Sequence, residues 1–153
     1  MTDNKATVAA HGGCQCGAVR YSVERFGRSA LCHCRMCQKA FGGFFGPLVE
    51  AFGVEWTGTP SYFASSQNNW RGFCNQCGTP LSYEYDGGIE ISIGSLDDPE
   101  LAPPTFQVNV VSQCSFFSAL SSLPPEDDAN RRKNEAWNAG VVSNQHPDRK
   151  NTG

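Results

Sequence analysis

Cys32-His33-Cys34-Arg35-Met36-Cys37 sets three thiols within six residues. Cys14-Gln15-Cys16 lies upstream of it and Cys74-Asn75-Gln76-Cys77 downstream, so seven of the eight cysteines fall in three tight clusters. Thiols at such spacings either pair as disulfides or converge on a metal ion. Met1-Thr2-Asp3-Asn4-Lys5-Ala6-Thr7 has no apolar core of a secretory signal, and a reducing compartment keeps thiols free. Metal binding is therefore the expectation, with zinc as the ion and the cytoplasm as the location. The spacing matches no iron–sulfur run.

Seven thiolates divide naturally into four and three. Cys32, Cys34 and Cys37 form the natural open set, because one short segment supplies all three ligands. Three protein ligands leave a coordination position for water or substrate, as in catalytic zinc sites. Cys14 and Cys16 with Cys74 and Cys77 would then close a structural site and tie an N-terminal hairpin to the middle of the chain. Spacing alone does not prove this pairing, since Cys32 and Cys37 with Cys74 and Cys77 are chemically acceptable too. His33, lodged between two ligands, reads as a wall residue rather than a fourth donor.

At 153 residues with 39% hydrophobic content, one domain with an ordinary core is expected. No apolar run approaches the ~20 residues of a membrane span, and the formal charge of −3 offers no basic footprint for nucleic acid. Residues 1–11 are polar and read as a flexible N-terminus, 12–126 as the zinc-binding domain, and 127–153 as a polar extension, partly helical or disordered. Strand patterns cover residues 18–23, 29–33, 44–49, 54–57, 62–64, 69–73 and 106–111. Residues 81–85 and 89–93 alternate about Asp86-Gly87-Gly88, a hairpin signal. A helical turn is expected at 38–43, ended by Gly42-Gly43, and a helix at 128–138 on which Trp137 docks. Short strands at this turn spacing predict a mainly β fold of antiparallel sheets.

Gly12-Gly13-Cys14-Gln15-Cys16-Gly17-Ala18-Val19-Arg20-Tyr21 resembles the opening of the glutathione-dependent formaldehyde-activating enzyme (Gfa), or centromere protein V, domain family. The likeness continues through Cys32–Lys39 and Gly42-Gly43, resumes at Tyr62, Ser65-Ser66 and Arg71–Gly78, and ends with Gly94–Pro99 and Leu123-Pro124. The resemblance implies an Mss4-like, or β-tent, fold organised around two zinc ions. It implies a structural zinc on Cys14, Cys16, Cys74 and Cys77, and an active-site zinc on Cys32, Cys34 and Cys37. The implied reaction joins formaldehyde to glutathione as S-(hydroxymethyl)glutathione, a carbon–sulfur lyase chemistry. Phe106-Gln107-Val108 departs from the family, lying where many members carry a His followed by apolar residues; Ser115 falls near a frequent Trp.

A thiol and an aldehyde are thus the expected small-molecule partners, with no nucleic acid and no membrane. Three thiolates leave the open zinc with a net negative charge, so cations must help an acidic thiol to bind. Arg35, Lys39 and Arg71 are the candidates to hold its carboxylates. Ser65 and Ser66 are read as lining the cleft or satisfying a turn. Phe41, Phe44, Phe45, Phe52, Phe73, Trp56 and Trp70 are expected in the core. His11 and His146 are expected in exposed, flexible ends, and Asp97-Asp98 in a turn. Two rival readings are a zinc-stabilised binding module without catalysis and a thiol redox protein, similar in fold class to methionine sulfoxide reductase B, using Cys114.

Overall fold

The computed structural model describes residues 8–148. Ten strands run in chain order: Ala10–Gly13 (β1), Arg20–Val23 (β2), Arg25–Cys32 (β3), Gly46–Phe52 (β4), Glu55–Thr57 (β5), Ser61–Ser66 (β6), Asn69–Phe73 (β7), Pro80–Tyr85 (β8), Gly88–Ser92 (β9) and Phe106–Val108 (β10). Two helices, Arg35–Phe41 (α1) and Asp128–Ala139 (α2), and short 3₁₀ turns complete the described structure. The fold is mainly β, as the turn spacing requires. One sheet orders β1-β2-β5 and the other β10-β3-β4-β9-β8-β7-β6. All pairings are antiparallel except β10 on β3.

The hairpin read at Asp86-Gly87 forms, with Tyr85 opposite Gly88. Other expectations need correction. Ala10 and His11, read as part of a flexible end, begin β1 instead, and Ala10 is buried opposite Val23. Residues 1–7 lie outside the described part. The helix at the cysteine triple starts at Arg35, before the expected 38, because the Cys34 sulfur accepts from the Cys37 amide and caps the first turn. It stops at Gly42, whose φ of 61° only glycine adopts freely. The strand expected over 106–111 ends at Val108, because Asn109 turns into the left-handed region at φ 54°.

Val23, Val49, Leu81 and Ile91, from β2, β4, β8 and β9, lose all contact with solvent and form the centre of a core shared by both sheets. Their burial is the main favourable term in folding. Cys14 and Cys74 belong to the same cluster. The sheets are locked by the Gly12–Leu96 bridge, by Tyr21 Oη and Ser95 Oγ at 2.7 Å, and by Arg20 Nη1 on Asp97 Oδ1 at 2.9 Å. Gly12 has no room for a side chain between the Tyr21 ring and the Ser95 carbonyl. Asp97 therefore serves as a structural anchor, while Asp98 caps the turn Pro99–Leu101 through the Glu100 amide.

Several aromatics expected in the core stand outside it. Phe44, Phe52 and Trp70 are exposed, Phe52 lying beneath the Arg25 guanidinium at 3.8 Å. Trp56 does pack on the core, edge-on to Tyr21. Helix α2 forms where expected, capped by Asp127 and braced by Arg131 on Asp128. None of its residues is buried, and Trp137 is 76% exposed rather than docked. Its charges and amides leave no continuous apolar stripe to seat it.

Leu81→Ala should destabilise the fold by about 2–5 kcal/mol, read as a shift in the denaturant midpoint at unchanged m-value.

Candidate functional site

All eight cysteines are free thiols. Cys14, Cys16, Cys74 and Cys77 converge, each sulfur within 4.8 Å of the others. Two matching turns present them. Gly17 N–H returns to the Cys14 carbonyl at 3.1 Å, and Gly78 N–H to the Cys74 carbonyl at 2.8 Å. Both glycines hold positive φ, 82° and 77°, where a side chain would be strained. The first turn leaves β1 and the second leaves β7, so the core brings together segments 58 residues apart at Cys16 and Cys74.

The donor set suits a tetrahedral ion. Bonds of about 2.3 Å to four sulfurs give edges of about 3.8 Å; Cys14–Cys16 and Cys16–Cys74 measure 3.6 and 3.8 Å between sulfurs. The Val19 amide donates to Cys14 at 3.2 Å, the Gln76 amide to Cys74 at 3.4 Å, and Thr79 Oγ1 lies 3.2 Å from Cys77. Burial works against the Cys77 thiolate, but hydrogen bonds from Thr79 and Cys16 outweigh it and bring the thiol down to about 6. The alternative grouping of Cys32 and Cys37 with Cys74 and Cys77 does not occur. His146, expected in a loose exposed end, is exposed but bonded: its N–H donates to the Gln15 carbonyl at 2.7 Å, and its ring fills the space beside Gly17.

Cys32, Cys34 and Cys37 form a second group under the same limit of 4.8 Å. Cys32 ends β3, Cys34 caps α1, and Cys37 sits in its first turn, its Cβ against Gly46 of β4. Among the described residues no further Cys, His, Asp or Glu joins them. His33 is fully buried and contributes no nitrogen to the group. Its Nε2 meets Gln107 Oε1 at 2.7 Å, and the Phe117 ring stands edge-on at 4.6 Å. The other ring nitrogen, Nδ1, has no hydrogen-bond partner among the described residues.

Burial pushes the Cys37 thiol up to about 12, against the nearby Arg71 guanidinium, which lowers it. Burial also acts against the Cys32 thiolate, yet the Asn109 amide and the Cys34 backbone prevail and lower that thiol. A cation among these sulfurs would favour all three thiolates.

The three cations singled out in the sequence are placed unequally. Arg35 and Lys39 are exposed on α1, Arg35 donating to Gln38 Oε1 at 3.0 Å. Arg71 is only 9% exposed, its Nε on Ser65 Oγ at 2.9 Å and its Nη2 on Cys37 Sγ at 3.4 Å. Ser66 serves a turn, accepting from Asn69. Phe41, Phe44 and Phe45, expected in the core, line a cavity of about 420 Å³ with Pro47 and Pro80. Phe73 borders a smaller one of about 170 Å³ with Phe63 and Arg71.

Sequence reasoning missed Asn109 and Gln38, and marked Gln107 only as a departure from the family pattern. Asn109 Nδ2 donates to Cys32 Sγ at 3.2 Å. Gln38 Nε2 ties the carbonyls of His33 and Ser112 together at 2.9 and 3.1 Å. The only sequence cue for Asn109 is an Asn interrupting a valine run, a residue type that tolerates left-handed backbone.

A family model described as glutathione-dependent formaldehyde-activating enzyme matches residues 9–112. Comparison with curated proteins finds no match.

The two clusters should respond differently to loss of a sulfur. Cys74→Ser is expected to cost one metal ion and the cooperative thermal transition, whereas Cys37→Ser costs one ion and leaves that transition in place. Elemental analysis paired with calorimetry reads both; equal unfolding of the two variants would contradict the division.

Proposed function

Because the chain belongs to the glutathione-dependent formaldehyde-activating enzyme family, we propose that it is a zinc-dependent, carbon–sulfur lyase-type enzyme that joins formaldehyde to glutathione as S-(hydroxymethyl)glutathione. The observation that carries this reading is the three-sulfur group of Cys32, Cys34 and Cys37, which no further donor completes among the described residues. Zinc held by these three would supply a coordination position at which an incoming thiol gives up its proton. Cys14 and Cys74, set in the core, together with Cys77 at its edge and the exposed Cys16, are the proposed structural site.

In the net reaction the thiol sulfur bonds to the aldehyde carbon, and the carbonyl π pair takes up a proton to become the adduct hydroxyl. Nothing is oxidised or reduced. Thiols and formaldehyde combine unaided, so the contribution asked of the protein is positioning. Arg35 and Lys39, exposed on the same short helix as Cys37, are the proposed holders of the thiol's carboxylates. The edge-on pairs Phe44–Phe116 and Phe45–Phe117, the second also touching His33, supply an apolar wall for the small aldehyde. No described helix is long and apolar enough to cross a membrane; the proposed setting is the reducing cytoplasm.

Adduct formation by the zinc-loaded protein, measured against the spontaneous reaction, tests this. The wild type should exceed background and Cys37→Ser should not. Arg35→Ala with Lys39→Ala should raise KM for glutathione about tenfold with little change in kcat, the cost of a charged hydrogen bond to bound substrate. A wild-type rate equal to background would overturn the reading.

A further inference from the structure

Each sulfur of the three-cysteine group receives its own hydrogen bond, and the donors come from three separate parts of the fold. Asn109 Nδ2, just past β10, donates to Cys32 Sγ at 3.2 Å. The Cys37 amide, in α1, donates to Cys34 Sγ at 3.3 Å. Arg71 Nη2, on β7, donates to Cys37 Sγ at 3.4 Å. The four-cysteine cluster is served by neutral groups instead, backbone amides and the Thr79 hydroxyl. A charged donor thus reaches the group of three, where a ligand would have to enter, while the closed group has neutral donors.

Arg71 is fixed in that role. Its Nε is held by Ser65, and its guanidinium carbon lies 4.9 Å from the centroid of the Tyr83 ring. Tyr83 is its cross-strand partner in the β7–β8 ladder, so the register of the sheet sets the position. Asn109 is fixed by backbone: at φ 54° and ψ 41° it occupies a conformation that its neighbours Val108 and Val110 would resist.

Three thiolates around a divalent ion leave a net negative charge that repels a fourth thiolate. Resting on the function proposed above, we propose that Arg71, assisted by Asn109, is the positioning residue that makes the three-cysteine group receptive to an anionic thiol. The guanidinium offsets the excess negative charge, and both donors draw electron density from the sulfurs they touch. Arg71 acts through Cys37 and leaves the substrate's carboxylates to the exposed Arg35 and Lys39. This reassigns a cation that the sequence alone places with the substrate.

The test uses the full chain loaded with cobalt(II) in place of zinc. It is titrated with glutathione and, separately, with 2-mercaptoethanol, which has no carboxylate, and thiol affinity is read from the change in sulfur-to-cobalt charge-transfer absorption. Arg71→Met should weaken both thiols alike, by about 10–100-fold, and Arg71→Lys should restore most of the loss. Arg35→Ala should weaken glutathione alone. Asn109→Leu, at an exposed loop position, gives the same comparison should Arg71→Met fold poorly, and is expected to weaken both thiols about tenfold. Unchanged thiol affinity in Arg71→Met or Asn109→Leu overturns the proposal, as does an Arg71→Met effect confined to glutathione. A wild-type protein that binds neither thiol is a different result, and it removes the functional reading beneath the proposal.

Discussion

Sulfur ligands for a metal must be gathered as thiolates, and like charges resist being gathered. In this chain they are drawn from separate segments into two groups, each within 4.8 Å. The fold can be understood as the arrangement that makes this crowding tolerable. Around Cys14, Cys16, Cys74 and Cys77, tight glycine turns aim backbone N–H groups at sulfur, and Cys14 and Cys74 are sealed into the core beside Val23, Val49 and Leu81. A metal there would be continuous with the apolar interior, so binding it and folding would share one free energy.

The second group sits on a different kind of support. Its sulfurs come from one short segment, so little loop closure is needed to collect them. What comes from a distance is the surrounding shell: Arg71 from the far side of the large sheet, Gln107 from the strand added in parallel to β3, and Asn109 from the turn that follows it. β10 is only three residues long, yet it positions the residue that bonds His33 and precedes the one that bonds Cys32. On the proposed function, the local segment supplies the ligands and the tertiary fold decides how the site treats a visitor.

The aromatic residues illustrate where sequence reasoning fell short. Phenylalanine in a β-rich chain is ordinarily core, and composition alone cannot distinguish a face turned inward from one turned toward a cleft. Here the core is built mainly from smaller aliphatic residues around Tyr21, and Phe41, Phe44 and Phe45 are left to line a cavity beside α1. Trp137 shows the opposite error. Its helix was legible from Asp127 onward, because caps and charge pairs are local, but docking requires an apolar stripe that this helix lacks.

Much was legible without coordinates. Cysteine spacing, glycine turns and the Asp86-Gly87 hairpin depend on residues close together in the chain, and they determined the strand-rich class and the candidate ligands. The grouping of Cys14 and Cys16 with Cys74 and Cys77, rather than another chemically acceptable set, was settled by the packing of the two sheets on one core, which no local pattern encodes. The same holds for Arg71, which the sequence offers as a partner for substrate carboxylates and which cross-strand pairing with Tyr83 turns inward onto Cys37. Electrostatics at a site depends on distance in space, and those distances exist only once the sheets have closed around them.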